Sequence, residues 1–236
     1  MKKTGQSVVV VPTYNEAANI IRLIDEIHSH VAEMDVLVVD DNSPDGTGGL
    51  VDEKARSDQR VRLLSRPGKL GLGTAYVTGF TDCLDRGYSI ICQMDSDFSH
   101  QPHYLLEFMR EIEDADVVVG SRYTAGGRTE DWSLKRKLLS LGGNLYARTI
   151  LSVPFRDLTA GFKCFRREVL EAIEVSNVTT EGYAFQMEMT YRAWRKGFRI
   201  REIPIVFPDR TLGKSKLSQG IFWESLATPW RLRLRE

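Results

Sequence analysis

Asp95 and Asp97 are two carboxylates one residue apart, within SIICQMDSDFS over residues 89–99. Like charges that close are costly unless a positive charge sits between them. A hard divalent cation meets that need, and Mg²⁺ usually binds one or two carboxylates together with substrate phosphates. Residues 89–94 are a short, mostly apolar run of the kind a buried strand needs. An Asp-x-Asp pair just past a strand end lies at the carboxyl edge of a sheet, where open α/β folds bind ligands. Alone, the pair reads equally well as a solvated loop with two acids.

Other polar clusters also fall at expected strand ends: Tyr14 with Glu16, Asp40 with Asp41, and Arg122. Each acid by itself reads as a cap or turn residue. Strand ends of a parallel sheet converge on one edge, so the set should share one crevice suited to a metal, a polar ring and phosphates.

The elements that must position these groups follow from apolar patterning. Residues 6–11 carry four successive valines, Val8–Val11, and are a buried parallel strand by pattern. Asn15 is read as the cap of a helix over 17–31, with apolar residues at helical spacing. Strands are expected at 36–39 and 61–64, around turn residues 42–49 and a helix to about Arg56. A loop rich in glycine and lysine, 66–73, precedes a helix at 74–86. Beyond the central strand come strands at 117–120, 160–165 and 199–206, and helices at 134–151 and 185–195. A polar loop over 209–219 leads to a last amphipathic helix over 221–236, with Phe222, Trp223, Leu226 and Trp230. Strand alternating with helix predicts an α/β fold: a doubly wound, mainly parallel sheet flanked by helices. No linker, repeat or low-complexity segment divides the chain, so one domain over 1–236 is expected.

Composition narrows the function classes. The 236 residues carry 32 Lys+Arg against 32 Asp+Glu, which argues against bulk nucleic-acid binding. Basic residues gather late: Arg210, Lys214, Lys216, Arg231, Arg233 and Arg235, against Glu224 and Glu236. Such an end suits phosphates or an anionic membrane surface. Cys83, Cys92 and Cys164 fit no metal spacing, and their odd number suggests a reducing, cytoplasmic compartment. The first apolar run stops at Pro12, so no signal peptide is expected, and no run reaches the ~20 apolar residues of a membrane span.

The motifs VVVPTYNEAANI, VVDDNSPDGT, KLGLGTAY, DSD and VVGSRY, in that order, resemble the family-2 glycosyltransferases with a GT-A fold. DLTAGFKCF, GYAFQMEM and FPDRTLGKSKL make the chain similar to the polyprenol (dolichol) monophosphate mannose synthases and their glucosyl relatives. The resemblance runs from Val8 to about Leu217. It implies a nucleotide-sugar half over 6–125 and an acceptor half over 126–220. It implies that Pro12, Tyr14, Glu16, Val39 and Asp41 line the nucleotide pocket. It implies Mg²⁺ or Mn²⁺ on Asp95 and Asp97, with Ser96 between them. Some relatives place a third ligand where Ser99 stands, and a serine is a weak ligand. Arg122 matches an arginine near the phosphates, and Arg210 and Lys216 match the basic pair of a mobile loop. From the residues themselves, Asp41 could accept from a base N–H edge and Tyr14 offers a stacking face.

The acceptor can be argued from charge. A sugar hydroxyl needs a general base, whereas a phosphate monoester, with a second pKa of about 6, is largely a dianion at neutral pH. It needs cations instead, and Arg122, Arg136, Arg210 and Lys216 supply them. Gln186 is a further acceptor-side candidate. The Q-x-x-R-W signature that processive relatives share is absent. The reading is metal-dependent, inverting transfer of mannose from GDP-mannose to a polyprenyl phosphate, at the cytoplasmic face of a membrane or on a membrane subunit. UDP-glucose is the alternative donor. A receiver-like phospho-switch, suggested by Val38 to Asn42, would need an aspartate on the next strand, and residues 61–64 hold none. His100 with His103 are read as a helix-start loop, Asp157 with Thr159 and Gly161 equally as a motif resembling the family's or as a turn capping the next strand, and the Gly-rich loop as tight packing and donor-side support.

Overall fold

The computed structural model describes residues 6–209 and 219–234. In chain order the elements are β1 Ser7–Thr13, α1 Ile20–His30, β2 Asp35–Asp40, α2 Thr47–Ser57, β3 Val61–Ser65, α3 Leu72–Asp85, β4 Ile90–Gln93, α4 Tyr104–Glu111 and β5 Val117–Ser121. Then come β6 Arg128–Thr129, α5 Leu134–Leu151, β7 Lys163–Arg166, α6 Arg167–Ala172, α7 Gly182–Arg195, β8 Ile200–Pro204, β9 Val206–Phe207 and α8 Gln219–Leu234. Seven strands form one sheet in the order β3-β2-β1-β4-β7-β5-β8, and β6 pairs with β9 in a small ribbon.

The valine run of β1 is buried along its whole length because helices cover both of its faces. Ile20, Leu23, Ile24 and Ile27 of α1 pack with Leu105 and Phe108 of α4 on one side. Ala75, Tyr76 and Phe80 of α3 pack with Phe185 and Met189 of α7 on the other. A third apolar cluster joins α5, α7 and α8 through Ala147, Leu151, Tyr191 and Leu232.

Four differences from the expected elements matter. The strand expected over 160–165 is β7, and it runs antiparallel to both β4 and β5. The hydrogen bonds explain the direction: Asp157 meets Arg122 just beyond the end of β5, so the chain enters β7 from the carboxyl edge and must run back down. Asn15 does not cap α1; it has φ 62°, a turn conformation, and the helix starts at Ile20 behind Asn19. The strand over 199–206 splits at Ile205, whose N–H donates to the Ser121 carbonyl. Finally, α8 has no clean apolar face among its described side chains. Thr228 and Leu232 are buried against α5 and α7, while Trp230 and Leu234 are exposed. Phe222 and Trp223 lie outside the described side chains. No helix among the described residues is long and apolar enough to cross a membrane.

Candidate active site

The carboxyl ends of β1, β2, β4 and β5 open on one edge, as the strand pattern requires. The acids expected there have different roles. Asp40 is used by its own turn: it accepts from the hydroxyls of Thr13 (2.7 Å) and Ser43 (2.6 Å). Asp41 is held in a two-pronged pair by Arg66, at 2.6 and 2.8 Å, and also accepts from the Leu70 N–H. Arg66 is itself buried and donates to Thr74 and to the Gly71 carbonyl. Asp41 can therefore meet a base only as an already neutralised carboxylate. Sequence reading missed Arg66; its place one residue past β3 was the available signal.

Tyr14 and Glu16 follow β1. The Lys69 ammonium lies 4.4 Å from the centre of the Tyr14 ring, and Glu16 accepts from Asn19. Pro12 and Val39 are buried partners across β1 and β2, so they form the floor rather than a polar contact. The Gly-rich loop leads into the N-terminus of α3. The Glu181 carboxylate already accepts from Gly73 (2.8 Å) and Thr74 (3.2 Å) at that helix N-terminus, which accords with a packing role.

Asp95 and Asp97 sit just beyond β4. Tyr76 donates its hydroxyl to Asp95 Oδ1 at 3.0 Å, and the Asp95 N–H donates to His100 Nδ1 at 2.9 Å. Asp97 Oδ1 accepts from the Ser99 N–H and hydroxyl. Ser99, at the position of a third ligand in some relatives, thus orients the second carboxylate. His100 stacks on Phe162, and His103 lies against Tyr104, so they form no metal pair. No group of three or more His, Cys, Asp or Glu that could hold a metal exists among the described residues. Two hard carboxylates side by side still suit a hard divalent cation whose other oxygens come from a diphosphate and water.

Arg122 is not a free cation. It donates to both Asp157 oxygens (2.8 and 2.6 Å) and to the Thr159 hydroxyl (2.7 Å), and its N–H also meets Asp157. Burial pulls its pKa down, but the Asp157 carboxylate outweighs burial and holds it above its ordinary value. Asp157 and Thr159 are therefore more than a turn. Asn144 of α5 pins the same loop by accepting from the Leu158 and Thr159 N–H groups. Gly161 brings the loop against the acids; a Cβ there would lie 3.7 Å from Asp95 Oδ2.

A cavity of about 390 Å³ opens on the far side of this loop. Arg136, Ser140 and Thr159 give it a polar end; Leu138, Leu139, Tyr146 and Met187 make the rest apolar. Arg136 lies 3.8 Å over the Trp132 ring and pairs with Asp209. Gln186, the other acceptor-side candidate, is not part of this lining. It is buried, takes a hydrogen bond from Gln93 (2.7 Å), and receives the Lys163 ammonium on its carbonyl (2.7 Å) and side chain (3.0 Å). Arg210 and Lys216 lie outside the described residues.

The Glycosyl transferase family 2 pattern matches residues 8–174. The chain belongs to glycosyltransferase family 2. The polyprenol monophosphomannose synthase of Mycolicibacterium smegmatis is 42% identical over 239 residues, covering 100% of this chain and 90% of that one. The undecaprenyl-phosphate mannosyltransferase of Micrococcus luteus is 43% identical, covering 96% of this chain and 94% of its own. Among solved structures, glucosyl-3-phosphoglycerate synthase from Mycobacterium tuberculosis, with Mn²⁺, UDP and its product, superposes with TM-score 0.69 at 20% identity, covering 98% and 81% of the two chains. A mannosyltransferase from Pyrobaculum calidifontis with GDP-Man and Mn²⁺ gives 0.65 at 17%, covering 100% and 66%. At those identities the likeness concerns the fold, which is of the GT-A type, and the family makes the chain a glycosyltransferase.

Lys163 is the buried charge that sequence reading passed over, although a lysine inside FKCF was a signal. Burial pushes its pKa from 10.5 down to about 7, with Asp157 opposing and Arg122 adding to the fall. The unfolded chain holds this proton up to pH 10.5, the folded one only to about 7. Between those values stability rises with pH, and the penalty is full below them. Lys163→Met should therefore stabilise the protein more near pH ~6 than near pH ~10. Thermal unfolding at both pH values checks this; equal shifts at the two would contradict it.

Proposed function

We propose that this glycosyltransferase moves a mannosyl group from GDP-mannose to a polyprenyl phosphate, with inversion at the anomeric carbon. The observation that carries the reading is the cavity beside the acids. It has a cation at its polar end and apolar walls beyond, the pattern of a phosphate on a long hydrocarbon. Thr159 lines it, and Gly161, two residues on, lies against Asp95, so acceptor and donor meet across one loop. Both mannosyl-transferring relatives named above support the sugar and the lipid class.

The acceptor phosphate is already ionised near neutral pH, so no residue has to remove a proton. Arg136 binds it, with Ser140 as a second donor, and Arg210 and Lys216 add charge from the stretch after Asp209. Arg122, locked on Asp157, shapes the wall between acceptor and donor rather than taking the phosphate. Asp95 and Asp97 would hold Mg²⁺ or Mn²⁺, which supplies Lewis-acid stabilisation to the departing diphosphate. The Tyr14 ring and Asp41 face the nucleotide from the ends of β1 and β2.

We further propose that a face of α5 rests on an anionic membrane. Leu134, Leu138, Leu141 and Leu145 recur at helical spacing and are exposed by 71, 61, 46 and 64%. Lys135, Lys137 and Arg148 flank them, the composition of an interfacial helix. Leu138 belongs both to this stripe and to the cavity wall, so a lipid chain could pass from bilayer to site without crossing water.

Two outcomes follow. Asp97→Ala should lower transfer by about a hundredfold or more, the effect of losing several kcal/mol of transition-state stabilisation, with an unfolding midpoint near wild type; near-normal turnover would remove the metal assignment. Leu134→Glu with Leu145→Glu should abolish flotation with anionic liposomes while GDP binding persists. Undiminished flotation would place the membrane contact elsewhere.

A further inference from the structure

Asp95 is gripped by two residues outside the Asp-x-Asp motif. We infer that Tyr76 and His100 are positioning residues that fix the Asp95 carboxylate for cation binding. This rests on the proposed use of that carboxylate for a divalent cation.

Tyr76 projects from the first turns of α3 and is fully buried. Its ring is stacked between Phe80 (5.7 Å, 26°) and Phe185 (5.9 Å, 5°), so the hydroxyl has little freedom to move away from Asp95 Oδ1. A phenylalanine would fill the same space. The hydroxyl is what a buried apolar slot does not need, and its cost is met by the carboxylate.

His100 grips the other side. Its Nδ1 accepts the Asp95 N–H, so in the neutral ring the proton sits on Nε2. Phe162 stacks on the imidazole at 4.9 Å and Phe207 meets it edge-on at 5.5 Å. Gly161 leaves no side chain against that face, since a Cβ there would press on His100 Cε1 at 3.1 Å. Tyr76 therefore sets the carboxylate's rotation through Oδ1, and His100 sets the backbone that carries it. Oδ2 is left as the oxygen to offer. Outer partners of this kind orient a ligand and commonly change metal affinity by about 10–100-fold when removed.

The test is Mn²⁺ binding to the full chain with GDP present, read from the electron-paramagnetic signal of free Mn²⁺. Tyr76→Phe keeps the ring packing and removes only the donor. It should weaken Mn²⁺ binding by about tenfold or more, and its loss of transfer should shrink as Mn²⁺ is raised. A merely structural defect would not respond to the metal. His100→Asn, which keeps an acceptor near Nδ1, should bind Mn²⁺ better than His100→Leu. Mn²⁺ binding by Tyr76→Phe equal to wild type would overturn the inference while leaving the metal site itself standing. Absence of GDP-dependent Mn²⁺ binding in the wild type would overturn the metal reading and this inference together.

Discussion

The buried ion pair between Arg122 and Asp157 holds the two halves of this site together. It closes at the end of β5 with both partners nearly sealed from water, by 6 and 1% exposure. Losing one partner of such a pair leaves an uncompensated buried charge, a cost of about 3–5 kcal/mol. Its structural consequence is larger than its energy. By tying residue 157 to the carboxyl edge it makes β7 enter from that edge, and so sets the one antiparallel strand in the middle of the sheet. The loop between them then has to cross the crevice, with Gly161 against Asp95 on one side and Thr159 in the wall of the cavity that Arg136 also lines on the other.

Charge is distributed around that loop with a clear division. Arg122 and Arg66 are each spent on a carboxylate, Asp157 and Asp41, and serve as framework. Arg136, a third exposed at its side chain, is paired with Asp209 near the surface of the cavity. An exchange of Asp209 for a phosphate costs far less there than in the buried pairs, because water and salt already weaken a partly exposed bridge. Asp95 and Asp97 are held differently: Asp95 accepts from Tyr76, and Asp97 from Ser99, neither an arginine nor a lysine.

Much of this was legible in the chain. The valine-rich runs within residues 6–11 and 36–39 were legible as strands because β-branched apolar runs suit strands buried on both faces. Helix α5 was read to its observed ends, and the acids fell at strand ends as expected. Other features were hidden for physical reasons. The direction of β7 depends on a long-range pair, not on local pattern. The short helices α4 and α6 hardly span enough residues to display a helical period. That Arg122 is paired with Asp157, and that Gln186 is buried against Gln93 and Lys163, depends on long-range contacts that the sequence does not reveal.

The most direct test is transfer of labelled sugar to a short polyprenyl phosphate with Mn²⁺ present, comparing GDP-mannose with UDP-glucose. The account predicts an organic-extractable, mild-acid-labile product from GDP-mannose that depends on the lipid phosphate. Product from UDP-glucose alone, or label transferred equally well to a polyprenol lacking its phosphate, would contradict it.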